Sequence, residues 1–401
     1  MIALAVVLSV IAGGVALVWA SRHLMIQKER TGRFFLTGES SGPPAGAPRV
    51  SVFVAARNEA ACIEACVRSL LEQDYPNYEL VVCNDRSTDE TPRIVERLAA
   101  ADGRLRLLSI DHLPEGWCGK NHAMQHGLAT SDSEWICMTD ADCRQTSRRT
   151  LSVAMQHALD AEADLLSVLP RLEMKGFWEN VVQPVCSGVM MIWFHPDKVN
   201  DPARPNAYAN GAFILIRRSA YEAIGTHEAV KDCLNEDMHM ARRAKHAGLR
   251  LRVVRSEGLY VVRMYTSLRQ IVRGWSRIFF GTFGTLRRLV LSLTAVVVMG
   301  LLPYAAAGLG LAMAAAAAPP AWAGWMLFAA ACAAIVSQLS VIGRYYRLIG
   351  GRPGLFWTYP IGSLVTAAAL IGSLTKLRRG ARVVWKDTSY AQRSTPEQSS
   401  P

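Results

Sequence analysis

The sequence predicts an α/β domain built on a parallel sheet, with membrane-spanning helices N-terminal and C-terminal to it. Three observations carry that expectation. From Val50 to Asp142, short apolar runs alternate with segments of helical periodicity. In each unit the polar residues fall just past the C-terminal end of the apolar run, which gathers them on one rim of the sheet. Uncharged stretches long enough to cross a bilayer stand at the start of the chain and in its last third.

Residues 1–20, MIALAVVLSVIAGGVALVWA, hold no charged side chain, and Arg22, Lys28 and Arg30 follow them. A cleaved signal peptide carries its positive charge before the apolar run, so residues 1–22 read as a retained anchor whose C-terminal side is cytoplasmic. Residues 23–49 read as a basic juxtamembrane segment and a linker, TGESSGPPAGAPR, ending near Arg49. VSVFVAARNEA then gives a strand, Val50 to Ala55, running into Arg57, Asn58 and Glu59, and a helix with Ile63, Val67, Leu70 and Leu71 on one face. YELVVCNDRSTDET repeats the pattern, with strand Leu80 to Cys83 followed by Asn84, Asp85, Ser87 and Asp89. RLRLLSI is a third strand, GKNHAMQHGLATS a third helix, and EWICMTDAD a fourth strand that ends in Asp140 and Asp142.

Two carboxylates separated only by Ala141 repel each other unless a positive charge sits between them. A hard divalent cation, Mg²⁺ or Mn²⁺, meets that need, since it takes one or two carboxylates and completes its shell with phosphate oxygens and water. A solvated acidic turn is the alternative for so short a pattern. No G-x-G-x-x-G follows the first strand and there is no Walker loop. A nucleotide site built from Asp85 accepting a base N–H, with Arg57 and Lys120 near a diphosphate, suits the rim instead.

The net charge of +11 raises nucleic acid as a partner, but the basic residues cluster beside apolar segments, which favours a membrane surface and no nucleic acid. Nine cysteines, an odd number without a C-x-x-C pair, indicate a reduced domain with no disulfide framework. FWENVVQPVCSGVMMIWF, Phe177 to Phe194, is too apolar for a solvated loop and reads as an element lying on the bilayer, a greasy cleft, or a buried core helix. Glu236 and Asp237 open a helix, where acids complement the dipole. Residues 266–288 form an amphipathic interfacial segment, 289–375 hold the C-terminal membrane helices, and 376–401 are a basic tail. The stretch 355–375, interrupted by Pro360 and Gly362, leaves a conflict: a fourth crossing sends the tail outside, yet KLRRGARVVWK is the most basic segment of all, so either this segment is re-entrant or lies in the interface, or the positive-inside bias loses here.

Taken in order, VSVFVAARNEA, CNDRSTDET, GKNHAMQHG, TDAD and NED resemble the nucleotide-sugar-dependent glycosyltransferases of family 2, over roughly Val50 to Gly281. The resemblance implies a GT-A fold, a Rossmann-like nucleotide-sugar-binding catalytic domain, over residues 50–265, although the family's usual Pro after the first strand is Ala55 here. It implies that Ala55, Arg57 and Glu59 line the nucleotide pocket, that Asp85 holds the base, and that Asp140 and Asp142 bind metal and diphosphate. It further implies Asp237 as the general base beside Glu236, and Asn210 and Gly211 as an acceptor-side turn. Many membrane relatives carry Gln-x-x-Arg-Trp; Gln270 and Arg273 fit, but Gly274 displaces the tryptophan to Trp275, followed by Arg277. Trp275 is then an acceptor contact or an interfacial belt residue. This form resembles the non-processive branch acting on isoprenoid-type lipids. The expected activity is inverting transfer from a nucleoside-diphosphate sugar, a UDP-sugar in first place, to a membrane lipid such as a carotenoid or hopanoid-related acceptor. It would need a divalent cation, on the cytoplasmic face of the inner membrane. The rivals are a processive polysaccharide synthase and an inactive nucleotide-sugar-binding membrane protein.

Overall fold

The computed structural model describes residues 1–30, 34–316, 321–377, 382–385 and 388–391. The strands of the central domain are β1 (Phe35–Thr37), β2 (Val50–Ala56), β3 (Tyr78–Asp85), β4 (Leu105–Ile110), β5 (Trp135–Asp140), β6 (Cys143–Gln145), β7 (Leu165–Leu169), β8 (Arg171–Leu172), β9 (Phe213–Arg217), β10 (Leu251–Glu257) and β11 (Tyr260–Val262). The main sheet has the order β1-β10-β7-β9-β5-β2-β3-β4, and β6-β11-β8 form a small second sheet. β2 and β5 are covered on both faces, which is why they read as continuous apolar runs rather than alternating ones. Successive residues nonetheless separate by face. Phe53, Val81 and Met138 pack with Met124 and Val182 on one side; Val52, Val54 and Val82 pack with Ile63, Val67 and Met155 on the other.

The sheet is mixed, where the sequence pattern predicts a parallel one. β9 runs antiparallel to both of its neighbours, β5 and β7, because the chain enters it from the loop 200–212 rather than from a crossover helix. That reversal sets the N-terminal end of β9, with Asn210 and Gly211, on the rim where β2, β3 and β5 end. The linker expectation is also corrected. β1 pairs in parallel with β10, and Arg149 donates to the carbonyls of Gly38 (2.5 Å) and Gly42 (2.6 Å), so the segment before Val50 is folded onto the domain edge and the sheet begins at Phe35.

Phe177–Trp193 is a helix with Pro184 inside it, buried along Val181, Val182, Val185, Cys186, Val189 and Met190. Of the readings open to the sequence, the buried helix is the one observed. The following helix in this layer, Leu268–Phe283, is capped by Ser267, whose hydroxyl accepts from the Gln270 N–H, while the Gln270 side chain accepts from the Thr266 N–H at 3.1 Å. Gly274 and Gly281 lie seven positions apart on one face of it. A Cβ at Gly274 would stand 2.1 Å from the Tyr265 ring, and one at Gly281 would stand 2.6 Å from Asn235 Oδ1.

Among the described residues four helices are long and apolar enough to cross a membrane: Ile2–Gln27, Leu286–Ala315, Ala321–Ile349 and Pro353–Thr375. The first three share one hydrogen-bonded node. Pro303 lacks the N–H that would normally bond the Met299 carbonyl four residues earlier, and that oxygen instead accepts from Trp19 Nε1 (3.1 Å) and Gln338 Nε2 (2.6 Å). Further along, Gly310 and Gly324 let two helix backbones touch, since a Cβ on Gly324 would lie 2.4 Å from the Ala314 nitrogen. The basic tail reappears only as a short hairpin, Arg382–Trp385 with Thr388–Ala391; the rest of it beyond Leu377 lies outside the described residues, as do Pro319 and Pro320.

Gly274→Ala should lower the thermal midpoint in detergent by several degrees, an overpacking cost of about 1–3 kcal/mol. Tyr265→Ala in the same chain should restore part of that loss, because it removes the ring that the new methyl strikes. Gly13→Ala, with nothing within 4 Å, is the control. Equal midpoints for Gly274→Ala and the control would refute the packing account.

Candidate active site

The loops after β2 and β3 are laced together by side chains of the second. The backbone N–H groups of Asn58, Glu59 and Ala60 donate to Ser87 Oγ (3.0 Å), Thr91 Oγ1 (2.8 Å) and Asp89 Oδ2 (3.0 Å), and Asn58 Oδ1 accepts in return from the Thr88 N–H at 2.8 Å. Ser87, Asp89 and Thr91 therefore hold the backbone of the loop that carries Arg57 and Glu59. Ala55 sits opposite both Cys83 and Asp140 in the sheet, so the three expected donor-side segments start level with one another.

Asp85, the last residue of β3, is 3% exposed, and its two oxygens accept from Arg86 Nε (2.7 Å) and Nη2 (3.0 Å). It lies against the first turn of helix Gly119–Ala129: a Cβ on Gly119 would be 2.2 Å from Asp85 Oδ2. The next residue, Lys120, reaches across the rim. Its ammonium is 2.6 Å from Asp140 Oδ1 and 2.8 Å from Glu236 Oε1. Burial works against that charge, but the Asp140 and Glu236 carboxylates outweigh it and hold Lys120 well above its ordinary pKa. Asn121, one position on, donates from its amide nitrogen to the carbonyls of Val230 (2.7 Å), Lys231 (3.2 Å) and Cys233 (2.9 Å). The GKN triplet thus fastens the loop leading into helix Glu236–His246.

Glu236 and Asp237 form the first turn of that helix. Asp237 accepts from the Gly211 N–H at 2.9 Å through one oxygen and from the Met238 N–H at 2.7 Å through the other. The close approach needs glycine, because a Cβ on Gly211 would lie 2.8 Å from Lys120 Nζ, 3.4 Å from Glu236 Oε1 and 3.5 Å from Asp237 Oδ2. Burial raises the Asp237 carboxyl, the neighbouring Glu236 charge adds to the rise, and Lys120 opposes it, leaving the group at about 7. Asn210 shapes the turn itself: its Oδ1 accepts from the Ala212 N–H at 3.0 Å, and its backbone N–H donates to Ser167 Oγ at 2.9 Å.

Lys120, Asp140, Gly211, Glu236 and Asp237 are therefore one cluster, with Asp142 two residues beyond Asp140. Burial pushes the Cys143 thiol well up, with the Asp142 and Asp140 charges adding, and pushes Cys137 up as well; both stay protonated and offer no thiolate. The residues expected on the acceptor side separate. Gln270 is a helix cap and Arg273 is exposed, while Arg277 Nη2 reaches the Tyr265 hydroxyl at 3.4 Å. Trp275 is 5% exposed, packed on Phe279 with ring centroids 5.4 Å apart. Gly274 gives its place on the helix to Tyr265, and Trp275 turns into the space behind. Sequence reasoning missed Asn121 and Asn235. Asn235 stands at the N-cap position of the Glu236–His246 helix, and its side-chain nitrogen donates to Thr282 Oγ1 at 3.1 Å, so helix Leu268–Phe283 braces the Asp237 turn from outside.

Residues 51–225 match the family described as glycosyl transferase family 2. The chain is 26% identical over 230 residues to the 4,4'-diaponeurosporenoate glycosyltransferase of Staphylococcus aureus, a match covering 57% of this chain and 60% of the relative's length. Among solved structures, a mannosyltransferase from Pyrobaculum calidifontis in complex with GDP-Man and Mn²⁺ has a TM-score of 0.55 at 22% identity, over 93% of this chain and 98% of that one. The α/β architecture is of the GT-A type.

The two neighbours of Asp237 give its titration opposite signs. Glu236→Gln should move the midpoint of the Asp237 carboxyl band in difference infrared spectra below about 7, and Lys120→Met should move it above. Shifts in the same direction would refute the charge assignment.

Proposed function

We propose that this chain, whose residues 51–225 form a glycosyltransferase family 2 domain, transfers a sugar from a nucleoside-diphosphate donor to a lipid acceptor with inversion at the anomeric carbon. The observation that carries the reading is the cluster in which Lys120 joins Asp140, at the end of a donor-side strand, to Glu236, beside an Asp237 poised at about 7. A carboxylate with that pKa is ionised often enough near neutral pH to take a proton from an acceptor hydroxyl, and basic enough to hold it. The N–H of Gly211 and the N–H of Met238 fix its orientation.

On the donor side, Asp85 is placed to accept from a base N–H, with Ala55, Arg57 and Glu59 along the nucleotide. Asp140 and Asp142 are hard oxygen donors at a strand end, and both are partly exposed. Among the described residues no group of three or more His, Cys, Asp or Glu could hold a metal ion by itself. Two carboxylates fit a cation whose other ligands are diphosphate oxygens and water, the usual arrangement for Mg²⁺ or Mn²⁺ with a phosphorylated substrate. Bound there, the cation would neutralise charge on the departing diphosphate. Lys120 pairs with Asp140 and has Glu236 as a second partner, so its charge is held at the site by both carboxylates.

The lipid acceptor is supported by the setting of the site. Helices Phe177–Trp193 and Leu268–Phe283 join the domain to the apolar helices, and Asn235 on the site side bonds to Thr282 on the second of them. The relative's named substrate, 4,4'-diaponeurosporenoate, points the same way. Four helices long and apolar enough to cross a bilayer support a domain at the membrane, and the basic residues that follow residue 20 support its cytoplasmic side. A processive synthase would need a conduit through these helices and long products.

Purified full-length protein in detergent, given a panel of nucleotide sugars and a lipid extract, should release nucleoside diphosphate and label lipid with one sugar or very few. A ladder of long oligosaccharides in the mass spectrum would sink the lipid reading. Asp142→Asn should remove most turnover, roughly 100-fold or more, together with most metal dependence. Asp237→Asn should lower kcat by a similar factor while nucleoside diphosphate still binds in calorimetry, since a lost base leaves the donor side intact. Loss of nucleotide binding in Asp237→Asn would reassign that residue to the donor side.

A further inference from the structure

The last apolar helix is long enough on paper to be a fourth membrane crossing, but both of its ends are bonded to the catalytic domain. At its approach, the Arg352 N–H donates to Asn180 Oδ1 at 2.8 Å and Arg352 Nη2 donates to the Lys175 carbonyl at 2.9 Å. Just before, Gly350 is so close to β8 that a Cβ would lie 2.6 Å from the Leu172 carbonyl oxygen. At the far end, Ser373 Oγ donates to the Ser276 carbonyl and Lys376 Nζ to Ser276 Oγ, each at 2.9 Å. Between them, a Cβ on Gly362 would stand 2.1 Å from the Val181 carbonyl oxygen, and Thr366 Oγ1 lies 3.3 Å from Cys186 Sγ. Tyr359–Thr375 is 17 residues, a rise of about 25 Å. A crossing that began beside Asn180 would carry Ser373 and Lys376 to the opposite leaflet, away from any domain residue.

We propose that the chain crosses the bilayer three times, and that Tyr359–Thr375 lies at the cytoplasmic boundary between the catalytic domain and the lipid, with the tail returned to the domain's side. The faces of the helix divide accordingly. Gly362, Ser363, Thr366, Ala367 and Ser373 turn inward and are buried, which lets backbones approach and satisfies hydroxyls. Ile361, Leu364, Ala368 and Ile371, spaced three and four apart, face outward, and Leu364 is 59% exposed. The partner that suits such a face beside three apolar helices is hydrocarbon.

The depth of the boundary is marked independently. Trp19, Met299 and Gln338 are joined through one carbonyl, and the uncharged run of the first helix ends right after Trp19, with Arg22 beyond it. The Tyr359 ring meets Trp19 edge-on at 5.7 Å, so the helix starts at this level and has its far end at Ser276 in the domain layer. Three crossings also place KLRRGARVVWK on the cytoplasmic side, which removes the conflict in the charge distribution.

The inference rests on the membrane reading, and the test separates the two. Full-length protein carrying alkaline phosphatase or a green fluorescent protein after Pro401 is expressed, fractionated, and compared as right-side-out and inverted vesicles. The fluorescent fusion should be bright and the phosphatase inactive. A C-terminal epitope tag should be cleaved in inverted vesicles at the rate of a tag in the Asp201–Arg204 turn, and protected in right-side-out ones. An active phosphatase, or a tag cleaved only from the opposite side to the Asp201–Arg204 tag, would overturn the three-crossing topology alone. Full-length protein in the soluble fraction would overturn both. A Leu364→Lys, Ile371→Lys double variant should keep the tail topology and lose retention of the helix in bilayers, seen as protease cleavage within 353–375 rising several-fold over wild type; unchanged protection would overturn the lipid-facing assignment.

Discussion

The Lys120 ammonium is the contact on which the rest of the site depends. It is one positive charge shared by a carboxylate at the end of β5 and a carboxylate at the start of a helix that follows about a hundred residues later in the chain. Without that ammonium the two carboxylates would repel each other, which would loosen the rim. Gly211 makes the arrangement possible by leaving room for the lysine where any side chain would strike it. β9 brings Gly211 to the rim by running against its neighbours, so the one irregularity in the sheet direction is what closes the cluster.

The same contact answers the question raised by two acids in sequence. Asp140 and Asp142 need a counter-charge, and a cation bound with substrate is one solution; the lysine supplies another for Asp140 when that cation is away. Asp140 and Asp237 are coupled electrostatically through this lysine, since Lys120 also lowers the pKa of Asp237 against the effects of burial and of Glu236. A site organised in this way keeps its carboxylates ordered without substrate, which reduces what binding must rearrange.

Much of this was legible before any coordinates. A buried strand followed by polar residues is a local pattern, and the endings of β2, β3 and β5 fell at the expected places because burial on both faces leaves a long apolar run with an abrupt stop. The direction of β9 was not legible, since an apolar run looks the same in either direction. Side-chain roles within a motif were legible only in part. Ser87, Asp89 and Thr91 follow a strand end without a role the pattern reveals, and they bond the backbone of the neighbouring loop. Asn121 looked like any helical polar residue, although it pins three carbonyls more than a hundred positions away. The burial of Trp275 was not legible, because the sequence shows the glycine before it but not the tyrosine ring that the glycine admits.

The least local feature is the layer that joins the membrane helices to the chemistry. Leu268–Phe283 is bound on one face to Asn235, next to the turn that carries Glu236 and Asp237, through Thr282 and the space left by Gly281. It is bound along another to Ser373 and Lys376 through Ser276. Phe177–Trp193 does the same on its own side, with Trp193 Nε1 donating to Ser292 Oγ at 2.9 Å in the helix that begins at Leu286. Each of these contacts uses glycine or a hydroxyl in place of a bulky apolar side chain, which sets helices at fixed distances with little room for sliding. A helix that moved relative to the bilayer would therefore move Asn235, and with it the N-terminal turn that orients Asp237. The side chains that hold the apolar helices to the domain also hold the turn that carries Asp237, so those helices belong to the architecture of the cluster.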